Sequence, residues 1–202
     1  MLKRRIIIIP GNGEGCESSN FYPWLASQLR ERGHEVILNA MPEANAAPLQ
    51  IWLPFILALG VDAESVLIGH SSGACAVLRI AEKSQIHAVI AVSMTDNDLG
   101  DSGERESGWY NAPWEYENMR KNVSNLIVFA SDDDPFIPLA TQRRVGECLE
   151  KAGIDAGASS ATFEYLELHR RSHFFAQKQP EILAAVIRVA EAPSSSVNTC
   201  AT

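Results

Sequence analysis

This sequence predicts an α/β fold, with a mostly parallel central sheet and helices on both faces, and three observations predict it. Short β-branched runs alternate with amphipathic stretches along the chain, which is the pattern of β-α-β units. The run Ile6-Ile7-Ile8-Ile9 is apolar at every position, as a strand buried on both sides requires. Between residues 1 and 192 no internal repeat and no linker interrupts the alternation, so a single domain is expected there.

The elements follow in order. Residues Arg5–Ile9 read as a buried strand, 21–32 as a helix closed by Gly33, and Glu35–Leu38 as a second strand. Residues 49–59 read as a helix interrupted or bent near Pro54, since proline removes a donor and crowds the preceding turn. A strand at 65–68 leads into a helix at 73–83. Further strands are expected at 87–93, 126–130 and Thr162–Leu168, and further helices at 139–152 and Pro180–Ala190. Two stretches fall outside the alternation. Residues 95–122 form a long insertion rich in Trp, Tyr and acidic residues, and 193–202, with three consecutive serines, read as a disordered tail.

Composition narrows the function. With 202 residues the chain can bury a core without disulfide or metal staples. A formal net charge of −8 and the lack of any basic cluster argue against nucleic-acid binding. The apolar run after Lys3-Arg4-Arg5 ends at Pro10-Gly11, too soon for a signal peptide. No stretch approaches the roughly 20 apolar residues of a membrane helix. The four cysteines show no C-x-x-C spacing, which reads as reduced thiols in a cytoplasmic protein. The Asn122-Val123-Ser124 sequon is then expected to stay unmodified.

In an open parallel sheet, ligands bind beyond the carboxyl ends of the strands. Three such places carry chemistry. Directly after the strand at 65–68 comes Gly69-His70-Ser71-Ser72-Gly73, a G-x-S-x-G nucleophile-elbow sequence. Its glycines make room for a sharp turn that lifts the Ser71 hydroxyl above the sheet and aims the next helix N-terminus at it. Composition alone yields such a pentapeptide in about one chain of this size in fifteen; its place between strand and helix gives it meaning. A serine hydroxyl needs a base, and the base needs a carboxylate to orient it. In the chain order Ser, Asp, His, Asp132, Asp133 and Asp134 follow the strand at 126–130, and His169 and His173 follow Thr162–Leu168. Two of the three aspartates are expected to be loop and helix-capping residues; composition does not choose among them. His34 and His87 fall at strand starts and read as structural. His70, inside the elbow, is not placed to relay its neighbour's proton. The i, i+4 spacing of His169 and His173 resembles a zinc motif, but Arg170 stands where the essential Glu belongs, so no metal is expected.

The third place is Pro10-Gly11-Asn12-Gly13-Glu14-Gly15, whose backbone N–H groups can turn inward. Asn12 and Gly13 are expected to supply one oxyanion donor and Ser72 the other, each worth about 3–4 kcal/mol when preorganised. A dinucleotide loop is the rival, but G-x-G-x-x-G fails in both registers and no Walker A sequence exists, so no cofactor is expected.

On these residues the chain resembles the retinoblastoma-binding protein 9-like small serine hydrolases of the α/β-hydrolase superfamily. The likeness runs from about residue 6 to 187. It rests on Pro10-Gly11-Asn12-Gly13, Ile51-Trp52-Leu53-Pro54-Phe55, Gly69-His70-Ser71-Ser72-Gly73-Ala74, Asp98-Leu99-Gly100-Asp101, Pro113-Trp114, Asp133-Asp134-Pro135-Phe136 and His173-Phe174. The resemblance implies a three-layer α/β-hydrolase fold without a large lid domain. It also implies a catalytic triad of Ser71, His173 and Asp134. The family's name-giving partner is bound through an L-x-C-x-E segment. Leu59, Val61 and Ala63 stand at those positions here, so neither the Cys nor the Glu is present and that binding is not expected. Ser172 replaces a glycine of the relative.

The resulting expectation is a cofactor-independent serine hydrolase acting on a small ester or amide, with Trp109, Tyr110 and Trp114, and with them Tyr116, as candidate walls of the acyl pocket. An alternative place for these aromatics is a satellite cluster under the insertion. The alternative function is an intracellular protein-binding module on a hydrolase fold with a dormant triad.

Overall fold

All strands of the single sheet run parallel in the computed structural model, which describes residues 2–13, 15–158 and 161–192. The strands are β1 (Arg5–Ile9), β2 (Glu35–Leu38), β3 (Val66–His70), β4 (Ile86–Val92), β5 (Val123–Ser131) and β6 (Thr162–Leu168), in the order β2-β1-β3-β4-β5-β6. Between them lie α1 (Tyr22–Glu31), α2 (Leu49–Ala58), α3 (Ser72–Ala81), α4 (Ser102–Ser107), α5 (Tyr116–Asn122) and α6 (Leu139–Asp155), and α7 (Pro180–Ala190) follows β6.

The all-apolar run at 6–9 of the first strand finds its reason in the two cores. Ile7 and Ile9 point into one, with Leu67, Val89 and Val128, beneath α2, α3, α5 and α6. Ile6 and Ile8 point into the other, with Val66, Ile90 and Phe129, beneath α1 and α7. A strand covered on both faces has no position for a polar side chain. At about 25 cal/mol per Å² of apolar surface removed from water, these two cores supply most of the driving force for folding.

The strand order creates the site. The chain leaves β1 toward β2 on one side, then returns to build β3 on the other. This reversal is the switch point at which open α/β sheets hold ligands. The loops after β1 and β3 therefore meet, and a Cβ on Gly11 would sit 3.2 Å from Ser71 Cβ. Farther along, the register pairs Ser131 with Leu168. The loops that leave β5 and β6 thus start level with each other.

Several boundaries differ from the sequence expectation. The third strand continues through Gly69 and His70, which stay paired with Ala91 and Val92. The second helix runs unbroken through Pro54, which lies on its exposed side. The stretch 95–122 contains two short helices, α4 and α5. It is pinned to α3 by buried Arg79, which donates to the carbonyls of Trp109, Ala112 and Pro113 and pairs with Glu82. The expected tail at 193–202 lies outside the described residues.

Candidate active site

The turn between β3 and α3 is sterically closed to a side chain at positions 69 and 73. A Cβ on Gly69 would lie 2.2 Å from the Gly73 carbonyl oxygen, and one on Gly73 would lie 2.3 Å from that of Ile9. Both clashes involve backbone that cannot move aside, so only glycine fits. Ser71 itself sits at φ 56°, ψ −121°, a strained conformation that costs on the order of 1–3 kcal/mol. Its N–H donates to the Val92 carbonyl, and its carbonyl accepts from Ala74 and Cys75. These bonds hold the strain, and the side chain is left facing a cleft.

That cleft has a volume of about 630 Å³. Ser71, Ser72, His70 and His173 line it, as do Gly11 and Asn12 from the loop after β1. Ser72 opens α3, where first-turn N–H groups have no partner within the helix. Gly13, expected as an oxyanion donor, is committed elsewhere: its N–H donates to the Ala44 carbonyl at 2.8 Å. Of the two candidates in this loop, the cleft is lined by Asn12.

The three adjacent aspartates separate by partner. Asp134 has a fully buried side chain and lies 2.9–3.0 Å from His173 Nδ1 through both carboxylate oxygens. Its Oδ2 also accepts from Ser93 Oγ, and its Oδ1 from the Phe136 and Ile137 N–H groups. Burial by itself would raise the Asp134 carboxyl, but the hydrogen bonds and charge of His173, with these two backbone donors, hold it below the usual range. Asp133 Oδ1 accepts from Ser172 N–H and Ser131 Oγ, and Asp132 accepts from Arg170 N–H and faces His169. Asp132 and Asp133 therefore do not cap the following helix, whose N-cap is Pro138 without a side-chain bond. They grip the backbone of the loop that carries His173. His169 and His173 turn to different aspartates and do not converge on a common centre.

That loop needs gripping. Arg170, Ser172 and Phe174 all have φ between 51° and 54°, in the left-handed region that costs an ordinary residue about 1–2 kcal/mol. The His173 ring is buried and lies among the rings of His70, Phe136 and Phe175, at centroid distances of 4.7, 5.0 and 5.4 Å. With Nδ1 engaged by Asp134, Nε2 is the ring nitrogen left for proton transfer.

The aromatic expectations divide. Tyr110 lines the cleft, and its hydroxyl contacts Glu104 and Cys75. Trp109 does not: it is fully buried, donates to the Ala47 carbonyl and packs edge-on against Trp52. Trp114 also lies outside the cleft. Arg79 sits 3.7 Å over its ring, its Nε1 donates to Asp96, and with Tyr116 it borders a separate depression beside α6. These tryptophans belong to the cluster under the insertion. Phe136, Phe175 and Leu99 were not foreseen as lining; the first two neighbour Asp134 and His173 closely in sequence, and that adjacency was the available signal. Three carboxylate residues, Asp98, Asp101 and Glu104, also line the cleft.

Comparison with known proteins agrees with this architecture. Residues 6–162 match the family model described as serine hydrolase. The chain is 40% identical over 149 residues to serine hydrolase RBBP9 of Rattus norvegicus, covering 72% of this chain and 80% of that protein. Among solved structures it is similar to the ydeN gene product of B. subtilis, with a TM-score of 0.79 at 18% identity over 94% of this chain and all of the other. It is also similar to Est1E of Butyrivibrio proteoclasticus, with a TM-score of 0.64 at 16% identity over 95% of this chain and 87% of the other.

Proposed function

The chain belongs to the serine hydrolase family and has the α/β-hydrolase fold, and from that premise we propose that it cleaves small esters or amides through a Ser71-His173-Asp134 catalytic triad. The observation that carries the reading is the buried His173–Asp134 pair at 2.9 Å, whose histidine lines the same cleft as the strained Ser71. Ser71 Oγ attacks the substrate carbonyl carbon while His173 Nε2 takes its proton. Asp134 holds the tautomer with hydrogen on Nδ1 and stabilises the imidazolium. The oxyanion that forms accepts from the backbone N–H groups of Ser72 and Asn12. Collapse expels the alcohol or amine, which leaves with the proton from His173. Water then attacks the acyl-enzyme with His173 again as base, releasing the acid and restoring Ser71. Side chains and water account for every step, so the reaction calls for no cofactor.

The strained turn also supports the elbow role of Ser71, and the apolar rings of Phe136 and Phe175 suit an acyl or aryl group beside the imidazole. Among the described residues no helix is long and apolar enough to cross a membrane, which is compatible with action in the cytoplasm on small molecules.

Labelling by a fluorophosphonate probe tests the reading. Wild type is expected to label, Ser71→Ala to lose labelling while keeping its circular dichroism, and Ser72→Ala to retain it. Labelling of the Ser71→Ala protein would overturn the assignment. An unlabelled wild type would favour the dormant-triad alternative.

A further inference from the structure

The hydrogen-bond geometry points to Tyr22 and His70 as positioning residues for the proposed hydrolysis, tying the loop after β1 to the loop that carries His173; the inference rests on the hydrolase reading above. Neither residue is needed by the triad chemistry itself, yet both are buried at the cleft, with Tyr22 fully inaccessible and His70 at 2% exposure. Three bonds run in series. Gly11 N–H donates to Tyr22 Oη at 3.2 Å, Tyr22 Oη meets His70 Nδ1 at 2.5 Å, and His70 Nε2 meets the His173 carbonyl at 3.0 Å.

The direction of each bond is fixed. A carbonyl oxygen only accepts, so His70 Nε2 carries its hydrogen. Burial, and the neighbouring His173, push the His70 imidazole down to about 3, so the ring is neutral and Nδ1 is bare. Tyr22 must then donate to Nδ1, and burial, which pushes its phenol upward, keeps that proton in place. Gly11 N–H completes the series as donor to the phenol oxygen.

The two ends of the series matter. Gly11 precedes Asn12, the proposed oxyanion donor. His173 lies between Ser172 and Phe174, both at positive φ, so its backbone sits in a conformation that needs an external hold. Asp132 and Asp133 hold the loop before His173 from the β5 side; His70 holds His173 itself from the β3 side. One buried pair of side chains thus sets the oxyanion loop and the base loop against each other across the nucleophile.

Isosteres separate positioning from mere packing. In Tyr22→Phe the series is cut in the middle; kcat on a p-nitrophenyl ester is expected to fall about tenfold with KM within about twofold, measured per folded molecule. A glutamine amide nitrogen falls near Nε2 of a histidine, an asparagine amide near Nδ1. His70→Gln is therefore expected to retain several-fold more kcat than His70→Asn, because only Gln still donates to the His173 carbonyl. Equal kcat in the two variants, or an unchanged kcat in Tyr22→Phe, would overturn the proposal. Nitrogen-15 NMR of the imidazoles in the Ser71→Ala protein gives a reading independent of turnover: His70 is expected to stay in the neutral Nε2–H tautomer from pH 5 to pH 8. A His70 that titrates in that range, or carries its hydrogen on Nδ1, would sink the positioning role even with hydrolysis established. Turnover that persists in Ser71→Ala would instead sink the Ser71-His173-Asp134 reading of the hydrolysis, whatever the NMR shows.

Discussion

Two histidine–aspartate pairs join the loop after β5 to the loop after β6, and they differ in surroundings rather than in chemistry. His173 and Asp134 have side-chain exposures of 7% and 0%, whereas His169 and Asp132 have 76% and 31%. Asp134 also receives Ser93 Oγ and two backbone N–H groups, and its partner ring is walled by Phe136 and Phe175. Asp132 receives one backbone N–H, from Arg170. An exposed pair in water contributes little to stability. A buried carboxylate surrounded by fixed donors can set a tautomer and stabilise a developing imidazolium. The same two residue types thus make a loop fastener in one place and an orienting device in the other.

The sharpest way to break this contrast is to neutralise each aspartate in turn. Asp134→Asn is expected to lower kcat/KM by about 10³ to 10⁴, because an amide can present a donor to Nδ1 and favour the wrong tautomer. Asp132→Asn is expected to cost less than about tenfold. Steady-state hydrolysis of a chromogenic ester measures both. Losses of similar size would mean that the acidic loop acts collectively and that burial does not separate the pairs.

Burial leaves a second trace, in the pH dependence of stability. Burial lowers His34, His70 and His87 below the usual histidine range, with His70 at about 3. The unfolded chain takes up protons on these groups below about pH 6.5, while the folded chain does not. Their contribution is therefore complete above that pH and is lost as pH falls toward the folded values. For His70 alone the loss at pH 5 is on the order of 2 kcal/mol. Asp134, held below its ordinary value, adds to the same trend at lower pH. Urea unfolding between pH 7 and pH 5 is expected to show falling stability, with a shallower slope in His70→Gln. An unchanged slope in that variant would show that His70 is protonated in the folded state.

The legible and illegible parts of the molecule divide by the range of their causes. The strands β1, β2 and β6 and the helix α7 run over the residues that the apolar pattern marks, because their period is local. The glycines around Ser71 were legible for the same reason: the turn's sterics act within five residues. Gly13 was misread because its N–H goes to Ala44, a partner thirty-one positions away with no local signature. Of the two places open to Trp109 and Trp114, they take the cluster under the insertion, because buried Arg79, on another element, gathers the carbonyls around them. The two histidines after β6 are not told apart by type or spacing; burial separates them, with Phe136 and Phe175 around one ring and additional donors on its aspartate.

The smallest expected effect concerns how the exposed half of this loop serves the buried half. Asp133 Oδ1 accepts from Ser172 N–H at 2.7 Å, and Ser172 is held at φ 51° directly before His173. A glycine at this position would adopt the left-handed conformation without Cβ strain; with serine it must be held in place. Removing the acceptor in Asp133→Ala should let the loop relax and carry the imidazole away from Ser71, lowering kcat by up to about tenfold. Asp133→Asn keeps an oxygen acceptor and should lose less. The coupling is the critical measurement. If Asp133 acts by holding a strained backbone, its loss should matter less once the strain is gone, so Asp133→Ala in a Ser172→Gly background should cost only a few-fold. Such non-additivity is expected of residues that share one interaction. Additive effects on kcat would mean that Asp133 works through its charge rather than by holding Ser172, and the distinction between a fastening and an orienting aspartate would then have to be given up for this member of the trio.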